Sequence, residues 1–158
     1  MKTLMVVDMQ KGFMNENNMF LIDKINAYLK SNNFDYIFYT KFNNRSESLF
    51  SKLLNWNEMT SSEDKELAID FHSNAIIFEK DGYGLTKSQI DTLKKMNITE
   101  IEICGTDIDA CVLSIMFNLF DAGIKPILLK DLTGSSTKDM APPALKIIKN
   151  QFGESCIK

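Results

Sequence analysis

Histidine and arginine each occur once in this chain of 158 residues, as His72 and Arg45, and cysteine occurs three times, as Cys104, Cys111 and Cys156. A single histidine cannot build a multi-histidine metal site and allows at most one Ser-His or Cys-His pairing, so no metal is expected. An odd cysteine count, with no h-region after Met1-Lys2-Thr3, reads as free thiols in a cytoplasmic chain. Long apolar runs are missing too. The best stretch, residues 112–120, is interrupted by Ser114 and Asn118, and a bilayer span needs roughly 20 residues, so no membrane partner is expected. There is no basic excess: 18 Lys and Arg stand against 21 Asp and Glu, a net charge of -3, which argues against a nucleic-acid partner. No G-x-G-x-x-G turn follows the first apolar run, which disfavours a nucleotide-binding Rossmann domain. Repeats and linker-like segments are lacking, so residues 1–158 read as one domain, within the usual range of roughly 100–200 residues.

What remains is a chain that is 44% hydrophobic, enough to bury a core without a disulfide or metal. Short apolar runs alternate with amphipathic segments of helical length, the pattern of a parallel sheet with crossover helices. Strands are expected at residues 4–7, 36–39, 75–78, 101–104 and 126–129. Helices are expected from residue 21 to 29, from a Thr86 cap to Met96, from 110 to 122, and from Pro142-Pro143 through Phe152 to Gly153. Residues 41–74 are polar and irregular apart from a short helix near 48–54, and form the expected substrate loop. The fold class is a three-layer α/β/α sandwich around a mainly parallel, Rossmann-like sheet.

In such sheets ligands bind beyond the carboxyl ends of the strands. That edge collects Asp8 after the first strand, Lys80 after the third and Cys111 after the fourth. Cys111 falls in the first turn of its helix, where free N–H groups and the helix dipole favour a thiolate, and Lys80 adds to the effect. Asp8 can accept the thiol proton and later return it to a leaving amine. The plain reading of each residue is a small buried thiol, a strand-end carboxylate and a surface lysine; their coincidence points to nucleophilic catalysis.

Four segments, in order, resemble the isochorismatase-like cysteine hydrolases, a family that includes nicotinamidases and carbamoyl-amide hydrolases. Val6-Val7-Asp8-Met9-Gln10 with Phe13 resembles the opening D-x-Q-x-x-F, and Tyr39-Thr40-Lys41-Phe42 with Asn44 resembles T-x-F-x-N. Lys80-Asp81-Gly82-Tyr83-Gly84 is similar to the lysine motif, and the segment from Cys104 to Val112 is similar to G-x-x-T-D-x-C-V. The resemblance implies an Asp8-Lys80-Cys111 triad and a thioester intermediate. It also implies an oxyanion hole from the backbone N–H groups of Asp107 and Cys111, and a cis peptide between Thr106 and Asp107.

Departures from the pattern are informative. Ile108 stands where a threonine is common, and Asp107 where a small apolar residue is common. An acidic residue there opposes a developing oxyanion unless it is protonated, turned away or paired with a substrate cation. Asp109 is expected to cap the helix. Asp131-Leu132-Thr133-Gly134-Ser135-Ser136 resembles the family's D-x-x-x-S-S stretch, without the histidine that commonly follows. A nicotinamidase-type metal set needs an Asp and two His after the second strand, where only His72 is found, so His72 is expected to be structural. No cofactor is expected. Phe13, Phe42, Trp56 and Tyr83 are candidates to sandwich a planar or apolar part of a small-molecule substrate, with packing of loops over the sheet as the plainer alternative. Arg45 is expected to be a solvated surface residue, or else to clamp a carboxylate. Cys104 reads as core and Cys156 as incidental. The apolar girth of residues 112–120 implies burial on all sides, in part by a homodimer or homotetramer.

The expected activity is hydrolysis of a small amide, ureido or carbamoyl compound. Two alternatives stay open: a catalytically silent protein that holds a metabolite or partner, and an isochorismatase-type hydrolase, although Cys111 favours amide chemistry.

Overall fold

The computed structural model describes Met1–Lys158. Ten elements follow one another as β1 (Thr3–Val7), α1 (Leu21–Ser31), β2 (Tyr36–Phe42), α2 (Leu49–Leu54), β3 (Ile76–Lys80), α3 (Lys87–Lys95), β4 (Glu100–Gly105), α4 (Leu113–Asp121), β5 (Lys125–Thr133) and α5 (Ala141–Phe152). The five strands are all parallel, in the order β3-β2-β1-β4-β5. The chain builds outward from β1 in one direction, then returns to its other side with β4, so strand order reverses between β1 and β4. The α/β fold class inferred from the sequence is the one observed.

Every residue of β1 is buried, because alternate side chains enter two different cores. Met5 and Val7 join the larger core with Leu93 of α3, Ile115 and Met116 of α4 and Ile148 of α5. Leu4 and Val6 face the opposite side, where Leu21, Ile25 and Leu29 of α1 cover the sheet together with Ile69. The α1 residues recur every four positions and therefore share one helix face. Thr86 caps α3 by accepting from the Gln89 N–H, and Pro142-Pro143 open α5, where missing donors cost nothing.

Three expectations are corrected. β2 runs on to Phe42, because its ladder with β3 continues to the pair Phe42–Lys80, while the Gln10 side chain meets the Phe42 backbone: Oε1 accepts its N–H at 2.7 Å and Nε2 donates to its C=O at 3.0 Å. The helix after β4 does not start at residue 110; a single π-helical turn, Ile108–Val112, precedes α4. In the single chain α4 leaves Phe117 and Phe120 exposed, leaning on Phe152 at ring separations of 4.9 and 5.4 Å. Cys156, expected to be incidental, is buried in the larger core. No helix is long and apolar enough to cross a membrane.

Candidate active site

Asp8 leaves β1 with φ at +47°, an uncommon backbone state that aspartate tolerates better than most residues. Thr40 of β2 holds it there. The Asp8 N–H donates to Thr40 Oγ1 at 3.1 Å, and the Thr40 hydroxyl donates to Asp8 Oδ1 at 2.6 Å. The other carboxylate oxygen lies 2.7 Å from Lys80 Nζ, with both side chains essentially sealed from solvent. Lys80 is the last residue of β3, an edge strand, and reaches across the Phe42 ring, 5.3 Å from its centroid, to arrive at Asp8. Its ammonium also donates to the Gly82 carbonyl at 2.9 Å and to Cys111 Sγ at 3.4 Å. Burial alone would pull the Lys80 pKa down, but Asp8 and the Cys111 sulfur outweigh it and hold the group above its ordinary value.

Cys111 sits in the π-helical turn, a feature often found at functional sites. Gly105 delivers the chain to it. At φ +114° a Cβ would lie 2.2 Å from the Val7 carbonyl oxygen, which instead accepts the Thr106 N–H at 3.0 Å. The bond between Thr106 and Asp107 is cis. The Asp107 carbonyl then accepts from both Ala110 and Val112, closing the turn, while the Asp107 N–H makes no hydrogen bond. The thiol departs from the sequence reading. Burial raises the Cys111 pKa well above the ordinary thiol range, Asp8 adds to the rise, and Lys80 opposes it without reversing it. Helix-terminus arguments neglect this desolvation, which favours the thiol over the thiolate.

The Asp107 carboxylate is tied down. It accepts from the Ser136 N–H and the Ser136 hydroxyl, each at 2.6 Å, and from the Thr106 hydroxyl. The Ser136 carbonyl in turn accepts from the side-chain amides of Asn15 and Asn17. The D-x-x-x-S-S stretch is thereby brought to the nucleophile turn. Asp109 caps nothing, because the π turn carries it past the cap position; its Oδ1 is buried without a hydrogen-bond partner.

A cavity of about 550 Å³ opens above Cys111, with Asp107 and Asp109 in its wall. Phe13, Phe42, Trp56 and Tyr83 all line it, joined by Phe50 of α2. Phe13 and Trp56 stack on each other, centroids 6.1 Å apart and planes 10° apart. Phe50 packs on Phe42, Trp56 and Tyr83 at 5.1, 5.8 and 4.9 Å. Phe50 and Glu58 are among the lining residues that the sequence does not announce, with Met14, Asn15, Leu54 and Thr137; for Phe50 an aromatic inside an otherwise polar segment is the one available signal. Asn44 fixes the Glu58 backbone by donating to its carbonyl at 2.9 Å. Arg45 is absent from the lining and pairs on the surface with Asp81 at 2.7 Å. His72 is exposed; its imidazole accepts the Asn74 N–H and its carbonyl the Ala75 N–H, in a local turn.

A model of the isochorismatase domain matches residues 2–156. No curated protein sequence matches the chain. Among solved structures, a pyrazinamidase of Pyrococcus horikoshii in complex with zinc is similar at 20% identity and a TM-score of 0.80, covering 99% of this chain and 97% of that one. The PnC1 protein of L. infantum in complex with nicotinate is also 20% identical, with a TM-score of 0.81 and coverage of 99% and 94%. N-carbamoylsarcosine amidase from Thermoplasma acidophilum is 18% identical, with a TM-score of 0.79 and coverage of 97% and 94%. At these identities the likeness is one of fold. The zinc of the first does not fit the side chains here: His72 is the one histidine, and no three His, Cys, Asp or Glu side chains converge.

Proposed function

The chain belongs to the isochorismatase domain family, and from that premise we propose that it hydrolyses a small amide, ureido or carbamoyl compound through a thioester on Cys111, in the cytoplasm. One observation carries the reading: a sealed Asp8-Lys80 ion pair whose ammonium also touches Cys111 Sγ, on the floor of a cavity large enough for a small substrate.

The chemistry follows from the resting thiol. As Sγ bonds to the substrate carbonyl carbon, its proton passes to Asp8, and the carbonyl electron pair moves onto oxygen. The N–H groups of Asp107 and Cys111 receive that oxyanion; the Asp107 N–H has no competing partner. Lys80 stays cationic throughout and offsets the charge that builds on sulfur and oxygen. Collapse of the tetrahedral adduct breaks the C–N bond, and the amine leaves with the proton from Asp8. Water then attacks the thioester while Asp8 takes its proton. The C–S bond breaks, the thiol regains that proton, and an acid is released. With the Asp107 carboxylate held by Ser136, its charge is spent on donors of the protein itself, which supports an oxyanion hole at this turn despite the acidic residue.

Ammonia release from a panel of primary amides, ureides and carbamoyl compounds tests the proposal, run beside Cys111→Ala. Turnover in the parent and none in the variant is expected. Persistence of turnover in Cys111→Ala, or ligand binding without any turnover in the parent, would overturn it in favour of a silent binding protein on the same scaffold.

A further inference from the structure

The cavity above Cys111 is acidic as well as aromatic. Glu58, Asp107 and Asp109 line it, and no Lys, Arg or His does. Lys80 lies beneath the floor, sealed from solvent, with its charge matched by Asp8. The three carboxylates differ in what occupies them. Asp107 is engaged by Ser136 and Thr106. Glu58 has only its backbone carbonyl in a hydrogen bond and its carboxylate in no ion pair, while Asp109 Oδ1 is buried and unpartnered. That oxygen is closed to the cavity, and the Asp109 carboxylate as a whole makes no hydrogen bond or ion pair that would offset its charge toward the cavity it lines. Beside these groups stand the π faces of Phe13, Trp56 and Phe50, which attract cations within about 6 Å of a ring centroid. A carboxylate-bearing substrate would meet like charge and find no guanidinium, since Arg45 is committed to Asp81 outside the cavity.

Resting on the hydrolase reading above, we propose that this site selects cationic amides: compounds with an ammonium, guanidinium or N-alkylpyridinium group set away from the scissile carbonyl. Asp109 and Glu58 receive the charge and the aromatic wall covers its apolar flank. The acidic substitution at Asp107 belongs to the same arrangement. An extra carboxylate beside an oxyanion hole is tolerable where the substrate carries a positive charge into the cavity.

Charge-matched thiol reagents read the cavity's potential without requiring any turnover. In the full-length protein, Cys104 and Cys156 are buried, and Cys111→Ala gives the background. The trimethylammonium-ethyl methanethiosulfonate is expected to modify Cys111 at least tenfold faster than the sulfonatoethyl reagent, after each rate is divided by that for a small free thiol. In a folded Glu58→Gln/Asp109→Asn variant, with folding checked by circular dichroism, the ratio should fall toward the free-thiol value. Equal or faster reaction of the anionic reagent, or a ratio untouched by the double variant, overturns the inference.

Substrate preference gives an independent reading. The kcat/KM for 1-methylnicotinamide should exceed that for nicotinamide by tenfold or more, with 3-carbamoylbenzoate lowest. Turnover with the neutral or anionic amide preferred overturns the cation preference and leaves the hydrolase reading intact. If no amide is turned over, the hydrolase reading fails, while the reagent ratio still decides the charge preference.

Discussion

The floor and the rim of the cavity are built on different principles. The floor takes Asp8 and Lys80 from the ends of β1 and β3 and Cys111 from the π turn after β4, and the two charged groups are each fixed by several partners: Asp8 by Thr40 and Lys80, Lys80 by Asp8, Gly82 and Cys111. The rim comes from several loops, and three of its five aromatic rings lie between Phe42 and Glu58, where six-residue α2 leaves Leu49, Leu53 and Leu54 exposed and the aromatic rings hold mainly one another. Buried charge in low dielectric makes the floor intolerant of any missing partner, whereas aromatic contacts at a half-wet rim can be lost one at a time. On the proposed mechanism, chemistry is thus placed where geometry is over-determined, and selectivity where substitution is inexpensive.

Removal of a floor charge should give the largest effect. Lys80→Met leaves Asp8 buried and unpaired, and is expected to cost about 3–5 kcal/mol in urea unfolding and to abolish ammonia release. A loss under about 1 kcal/mol would show that the floor is far less dry than its burial implies. Asp8→Asn keeps the shape and removes the charge that, after burial itself, raises the Cys111 pKa. Two opposite outcomes are expected: turnover falls by roughly 10²–10⁴, as for loss of a general acid–base, while alkylation of Cys111 by iodoacetamide at neutral pH accelerates. If alkylation slows, Asp8 is not what holds the proton on sulfur. In the parent protein the thiol pKa lies above its unfolded value, so the native state keeps that proton to higher pH. Its stabilising contribution is full below the ordinary thiol pKa of about 8.5 and fades as pH rises past it; the same holds for Cys104, raised by burial. Iodoacetamide labelling followed against pH should therefore rise late, above the range of an exposed thiol.

At the rim, Phe50→Ala should cost only about 1–2 kcal/mol, below the roughly 3–5 typical of a core phenylalanine, because the residue is half-buried. Its signature should be a raised KM with kcat little changed. A large fall in kcat instead would mean that the rim also positions the floor.

The division between floor and rim also decides what could be read from the sequence. The gathering of Asp8, Lys80 and Cys111 at one sheet edge is legible because short apolar runs mark the strands and these residues follow strand ends, a rule that needs no knowledge of contacts. The extension of β2 to Phe42 is not, since it depends on pairing with Lys80 of β3, far along the chain. The π turn leaves no mark in hydrophobic periodicity, so Asp109 was assigned a capping role that the extra residue denies it. The direction of the Cys111 pKa was misjudged for a related reason: sequence shows the helix terminus and the nearby lysine, while desolvation exists only once the layers have packed. Phe50 and Glu58 follow no spacing rule, because rim residues are selected by the shape of a loop.

The smallest expected effect lies where floor and rim meet. Ser136 donates both its N–H and its hydroxyl to Asp107, so Ser136→Ala removes one of these bonds and keeps the other. A hydrogen bond to a charged group contributes about 1.5–3 kcal/mol, and the partial exposure of both residues brings the expected loss of stability nearer 1 kcal/mol. The kinetic effect is the more telling. With fewer donors on its carboxylate, Asp107 projects more negative charge toward the nucleophile turn. The developing oxyanion is then opposed, and kcat for a neutral amide should fall about three- to tenfold with KM steady. A cationic amide should be less affected, because its own charge compensates Asp107 in the transition state. Equal losses for the two amides would mean that Ser136 merely braces the loop, and that Asp107 takes no part in the electrostatics of the site.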